Sequence, residues 1–230
     1  MLPLRDNVPT RHFPIVTVAL IVANALVWIL YQVPDLEGSV NQLAFHPCEV
    51  EDSCPRVGED WPLTAFTSMF MHGDWLHIAG NMLFLWIFGN NVEDAMGRIR
   101  FLGFYLLGGL AATGLQTVIT LETAGEQAAE IPNLGASGAI SAVLGAYFVL
   151  LPRARVLTAI FLVFIFFLRE IPAFLFLGIY FAFQAWEANF QFRQPPEGGG
   201  VAVFAHLGGI VFGLIAVKLF QARRPLRPRY

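Results

Sequence analysis

Charge is what this sequence most conspicuously has little of. Only 13% of its 230 residues are Asp, Glu, Lys or Arg, while 56% are hydrophobic and 22 are Phe. A water-soluble domain carries about a quarter charged residues, so the composition, with a mean hydropathy of +0.60, excludes that class. Cysteine is nearly absent: two residues, Cys48 and Cys54, cannot build a disulfide scaffold. They permit one local disulfide, or a metal reading with His46 that lacks the four ligands of zinc-finger spacing. No motif for a metal, nucleotide or organic cofactor is present. The formal net charge of −3 gives no basic footprint for nucleic acid.

What is present is a series of apolar runs. They predict an all-α, polytopic membrane protein with six crossings, near 14–33, 75–92, 100–121, 136–152, 171–190 and 202–221. There is no internal repeat, so residues 1–230 read as a single domain. The first run is too long for a signal-peptide core and reads as a retained anchor. Val156–Leu168 is too short to cross a core about 30 Å thick, and as an interfacial or re-entrant piece it keeps Arg153, Arg155 and Arg169 on one side. On this count, of the 14 basic residues only Arg56 and Arg193 lie outside, which is the positive-inside bias with both termini cytoplasmic.

Alternating crossings bring the polar residues of the apolar runs together. His77 and Asn81 begin the second run and, four apart, share one helix face. Ser137 opens the fourth within Gly135-Ala136-Ser137-Gly138, and His206 lies near the head of the sixth. All four then sit at similar depth on the external side. Ser and His are the minimum pair for nucleophilic acyl transfer, and reactive groups in hydrocarbon usually mark a working site. Gly209 and Gly213 let the helices of Ser137 and His206 approach closely. Taken singly, a Gly-x-Ser-Gly is most often a packing motif and a membrane His most often a hydrogen-bonding group; their agreement in depth favours chemistry. Trp75, Trp86 and Trp186 read as interface or packing aromatics.

The ordered set His72-x4-His77-x3-Asn81, Glu93-x3-Gly97-x3-Phe101, Gly135-Ala136-Ser137-Gly138 and Ala205-His206-x2-Gly209-x3-Gly213 resembles the rhomboid family of intramembrane serine proteases. The resemblance implies a rhomboid-like six-helix bundle with a cavity open to the external face, and a catalytic dyad of Ser137 as nucleophile and His206 as base. It implies oxyanion stabilisation by His77, Asn81 and the backbone at Ser137 and Gly138. His72, Gly135, Gly209 and Gly213 are then structural residues near the site. Substrates would be transmembrane proteins entering past the second and fifth spans, under a cap formed by Gln191–Val203.

Two departures accompany the match. Ser141 stands one turn after Ser137, where family members often place an aromatic against the histidine, and Leu63-Thr64 stands where a Trp-Arg pair is common. The alternative function is a non-enzymatic rhomboid-like binder of membrane helices in quality control or trafficking. A small transporter is a weaker alternative, since paired halves and discontinuous helices are missing. No transit-like segment is seen at the N-terminus, so the expected location is a bacterial plasma membrane. Nothing in the sequence bears on the oligomeric state.

Overall fold

The structure, a computed structural model, describes residues 1–53, 58–123, 126–162, 165–193 and 202–228. A short strand β1 (Leu2–Asp6) precedes α1 (Ile15–Leu26), which continues as a π-helix over Val27–Gln32. Two short helices follow, α2 (Leu36–Leu43) and α3 (Trp61–Thr67). Then α4 (Trp75–Phe84) runs through a π-helical stretch, Leu85–Gly89, into α5 (Asn90–Met96). A glycine turn leads into α6 (Arg98–Thr123), with α7 (Glu126–Ala129) after it. The rest is α8 (Ser137–Leu150), β2 (Arg155–Leu162), β3 (Ile165–Pro172), α9 (Ala173–Arg193) and α10 (Val203–Phe220).

The architecture is mostly helical, but the expectation of six crossings is overturned. Among the described residues, three helices are long and apolar enough to cross a membrane: Ile15–Gln32, Arg98–Thr123 and Val203–Phe220. The other three runs fall short for physical reasons. The α8 helix has 14 residues, about 21 Å of rise against a core of about 30 Å. His77, Asn81, Asn90, Asn91, Glu93 and Asp94 dilute the run through α4 and α5. In α9 the apolar start gives way to Gln184, Glu187, Asn189 and Gln191, and its expected first residues, Ile171 and Pro172, belong to β3.

Val156–Leu168 is a further correction. Its described residues form two antiparallel strands rather than a helix, in a sheet of order β1-β2-β3. Its β-branched and aromatic content suits a sheet, and an apolar run without period cannot be told from a helix by sequence alone. In this sheet Arg169 pairs with Thr158, and Arg155 with Pro172.

The core is the close packing of α6, α8 and α10. A Cβ on Gly209 would collide with the Gly138 carbonyl oxygen, and one on Gly213 with the Ala142 carbonyl oxygen. A Cβ on Gly138 would come within 2.6 Å of the Ala112 methyl. Backbones this close allow hydrogen bonds between short side chains on neighbouring helices. Tyr105, Phe101, Phe104, Leu144 and Tyr147 fill the layers below.

Two carboxylates, the buried Glu93 and the half-buried Asp6, fasten the opposite end. Glu93 accepts from the backbone N–H of Val16 and Thr17 and from the Thr17 hydroxyl, capping the start of α1. Asp6 accepts from the Tyr147 hydroxyl at 2.6 Å and from Asn91 Nδ2 at 2.7 Å. Near the α2–α3 connection, Cys48 is disulfide-bonded, which removes it from the metal reading; Cys54, the only other cysteine in the sequence, lies outside the described residues.

Candidate active site

Ser137 is the first residue of α8. The chain enters the helix through Gly135, whose φ of +120° is reserved for glycine. Its N–H donates to the Ser68 carbonyl at 2.8 Å, and a Cβ there would come within 2.8 Å of His77 Nε2. Glycine at 135 therefore lets the entry to α8 lie flat against the His77 ring.

His206 sits in the first turn of α10, and its Nε2 is 2.9 Å from Ser137 Oγ. The contact crosses the interface that Gly209 and Gly138 make possible. The two residues meet through the packing of α8 against α10, not through an alternation of six crossings.

The other ring nitrogen reveals a residue that sequence reasoning missed. His206 Nδ1 lies 2.7 Å from Gln184 Oε1, on a side chain of α9 that is 5% exposed. A glutamine among Phe181, Phe183 and Trp186 was the available signal, since a polar group in an apolar helix needs a partner. No aromatic ring stacks on His206 among the described residues. Ser141 instead packs under Gly209, with its Cβ 3.0 Å from where a Gly209 Cβ would stand. Gln184 thus holds the ring by a hydrogen bond where an aromatic would hold it by packing.

His77 and Asn81 lie one turn apart on α4 and, with Ser137 and His206, line a cavity of about 580 Å³. Asp74 caps α4 by accepting from the His77 N–H at 2.8 Å. The Gly73 N–H donates to His77 Nδ1, so a neutral His77 ring carries its proton on Nε2, the atom beside Gly135. Asn81 Nδ2 is buried and has no hydrogen-bond partner among the described residues. The N–H groups of Ser137 and Gly138 stand in the first turn of α8, where helices leave donors unpaired.

His72 is fully buried just before α4, edge-on to His77 with ring centroids 5.1 Å apart. Its backbone is clamped at both polar groups by Gln32, at 2.8 Å each. Burial, and then the neighbouring His77, lower its pKa to about 4, so the ring is neutral near neutral pH. The cap expected over Gln191–Val203 lies mostly outside the described residues. His46 Nδ1 lies 3.6 Å from a carboxylate oxygen of the buried Glu49, and His46 is not among the residues that line the cavity.

Residues 60–223 match the family model of the rhomboid domain. Among similar proteins, the human presenilin-associated rhomboid-like protein, mitochondrial, is 30% identical over 216 residues, covering 90% of this chain and 50% of that protein. Rhomboid protein 1, mitochondrial, of Saccharomyces cerevisiae is 30% identical over 152 residues, 64% of this chain and 39% of its own. RHOMBOID-like protein 12, mitochondrial, of Arabidopsis thaliana is 27% identical over 211 residues, 87% and 57% respectively. The chain spans about half the length of the curated relatives it matches. These relatives are named as mitochondrial proteins, which overturns the expectation of a bacterial plasma membrane. The matched stretch contains the entire constellation from His72 to Gly213, in the order that suggested the resemblance, and the chain belongs to the rhomboid family.

Proposed function

We propose that this chain, acting as a single membrane domain, is a serine endopeptidase that hydrolyses peptide bonds in or near the transmembrane segments of other proteins. The observation that carries this reading is the hydrogen-bonded line Gln184 Oε1, His206 Nδ1, His206 Nε2, Ser137 Oγ. A glutamine oxygen only accepts, so it holds the proton of a neutral imidazole on Nδ1. The Nε2 lone pair then faces the Ser137 hydroxyl.

From there the chemistry follows the general serine route. Ser137 Oγ attacks the scissile carbonyl as its proton passes to His206 Nε2. Collapse of the tetrahedral adduct returns that proton to the leaving amine and leaves an acyl group on Ser137. Water, deprotonated by the same nitrogen, attacks the ester and releases the second product, restoring the serine. The developing oxyanion is met by the His77 Nε2–H, the unpartnered Asn81 amide and the first-turn N–H groups of Ser137 and Gly138. Such donors are worth about 3 kcal/mol each when preorganised. His72, Gly135, Gly209 and Gly213 hold these groups in place.

The site's setting supports a membrane protein as substrate. Phe84 and Tyr180, from α4 and α9, line the cavity beside the polar groups, so a substrate segment reaching Ser137 between those helices meets apolar walls first. The test is cleavage of a single-span reporter, with small residues at the cut and a helix breaker nearby, in proteoliposomes. Wild type cleaves it; Ser137→Ala and His206→Ala do not, while melting as the wild type does. Cleavage retained by either variant rejects the dyad, and a wild type that binds the reporter without cutting it identifies a helix binder.

A further inference from the structure

Away from Ser137, a cleft of about 600 Å³ lies between the start of α1, the turn joining α5 to α6, and the tail beyond α10. It lies about 30 Å from His77 along the helical run of α4 and α5. Arg98, Arg100 and Arg223 line it, together with Phe13 and Ile99.

The cleft is built. Gly97, with φ of +81°, turns the chain so that Arg98 opens α6. The backbone N–H groups of Ala222 and Arg223 both donate to the Ala95 carbonyl, at 3.0 and 2.8 Å, which ties the tail to the end of α5. Two carboxylates also line the cleft, and both are occupied: Glu93 by the start of α1, Asp94 by Arg11. Among the described residues, the guanidinium groups of Arg98, Arg100 and Arg223 have no carboxylate partner. The unneutralised charge of the cleft is positive.

Its position says what kind of anion fits. Each of the three helices that, among the described residues, are long enough to cross a membrane has one end here: Ile15 begins one, Arg98 begins the second, and Phe220 ends the third. The cleft therefore stands at a bilayer boundary. Phe13 and Ile99 are 65% and 89% exposed beside the arginines, as acyl-chain neighbours would be. Basic pockets between membrane helices are suited to phosphate headgroups, and planar guanidinium pairs well with phosphate oxygens.

We propose that this cleft binds the phosphate of an anionic phospholipid headgroup. The inference does not depend on the peptidase reading. The full chain in detergent is titrated with phosphatidylglycerol and with phosphatidylcholine of matched acyl chains, and lipid adducts are read by native mass spectrometry. Phosphatidylglycerol binds at least about tenfold more tightly, and the preference disappears when Arg98, Arg100 and Arg223 are all changed to Gln. Arg223→Gln alone, in the tail, weakens it about threefold; Arg169→Gln, on β3, leaves it intact. Excess inorganic phosphate does not displace the lipid. Equal affinity for the two lipids in the wild type overturns the proposal without reference to any variant, as does a preference that survives the triple substitution. Displacement by inorganic phosphate reassigns the cleft to the free anion.

Discussion

The two ends of α8 treat polar groups in opposite ways. At its last turn, the Tyr147 hydroxyl and Asn91 amide both close on Asp6, joining β1 to the helical core. At its first residue, Ser137 meets His206 beside a cavity that the Asn81 amide also lines with its Nδ2 unpaired. A buried polar group left unpaired costs roughly 1–3 kcal/mol, so the second arrangement stabilises nothing by itself. It makes sense if a transient charge completes it. At α8, saturated polar groups fasten one end and unsaturated ones stand where chemistry is proposed at the other.

That contrast can be broken at several points. The largest effect is expected from Gly209→Val, because the new side chain meets the Gly138 carbonyl and separates the helices of Ser137 and His206. Overpacking of this kind costs about 3 kcal/mol; reporter cleavage should vanish and the melting temperature in detergent should fall. A variant that melts and cleaves like the wild type removes helix approach as the basis of the site. Next comes Asn81→Ala. Removal of one oxyanion donor lowers kcat about a hundredfold with little change in stability, since Asn81 Nδ2 has no native partner to lose; an unchanged kcat takes Asn81 out of the oxyanion role.

Gln184→Leu tests the third group. Loss of the Nδ1 acceptor frees the other tautomer and lowers kcat about tenfold, with KM unchanged. Gln184→Glu, which keeps an accepting oxygen, recovers part of the rate. Equal losses in both variants would instead mark Gln184 as a packing residue of α9.

The smallest expected effect concerns the fastened end. Burial raises the Asp6 pKa from 3.8 to about 6, against the opposing hydrogen bond from Tyr147. The folded state therefore holds this proton more tightly than the unfolded chain does. The stabilisation is complete below the unfolded pKa and is lost as pH rises through about 6. Melting temperature should decline over that interval in the wild type and decline less in Asp6→Asn; identical profiles would show that Asp6 is not the titrating group.

How much of this was legible beforehand differs between elements. The ordered spacing of His72, His77, Asn81, Ser137 and His206 was readable because each motif is local and its partners are fixed by helical period. Gln184 was not, since it lies in no motif and acquires its role only when α9 packs beside α10. The strands β2 and β3 were hidden in an apolar run whose composition suits helix and sheet alike. Six crossings are not reached because asparagines, glutamines and acids dilute the second and fifth hydrophobic runs and because α8 is short. Two of those polar residues do belong to the site: Asn81 lines its cavity and Gln184 holds its histidine.

The central claim is that Ser137 is activated by His206. The most direct measurement is reaction of the detergent-solubilised protein with a fluorescent fluorophosphonate, with the labelled peptide located by mass spectrometry. Labelling at Ser137 in the wild type, lost in His206→Ala and in Ser137→Ala, is the predicted result. Folded protein whose cavity admits the reagent and yet takes up no label, or labelling that persists without His206, would contradict it.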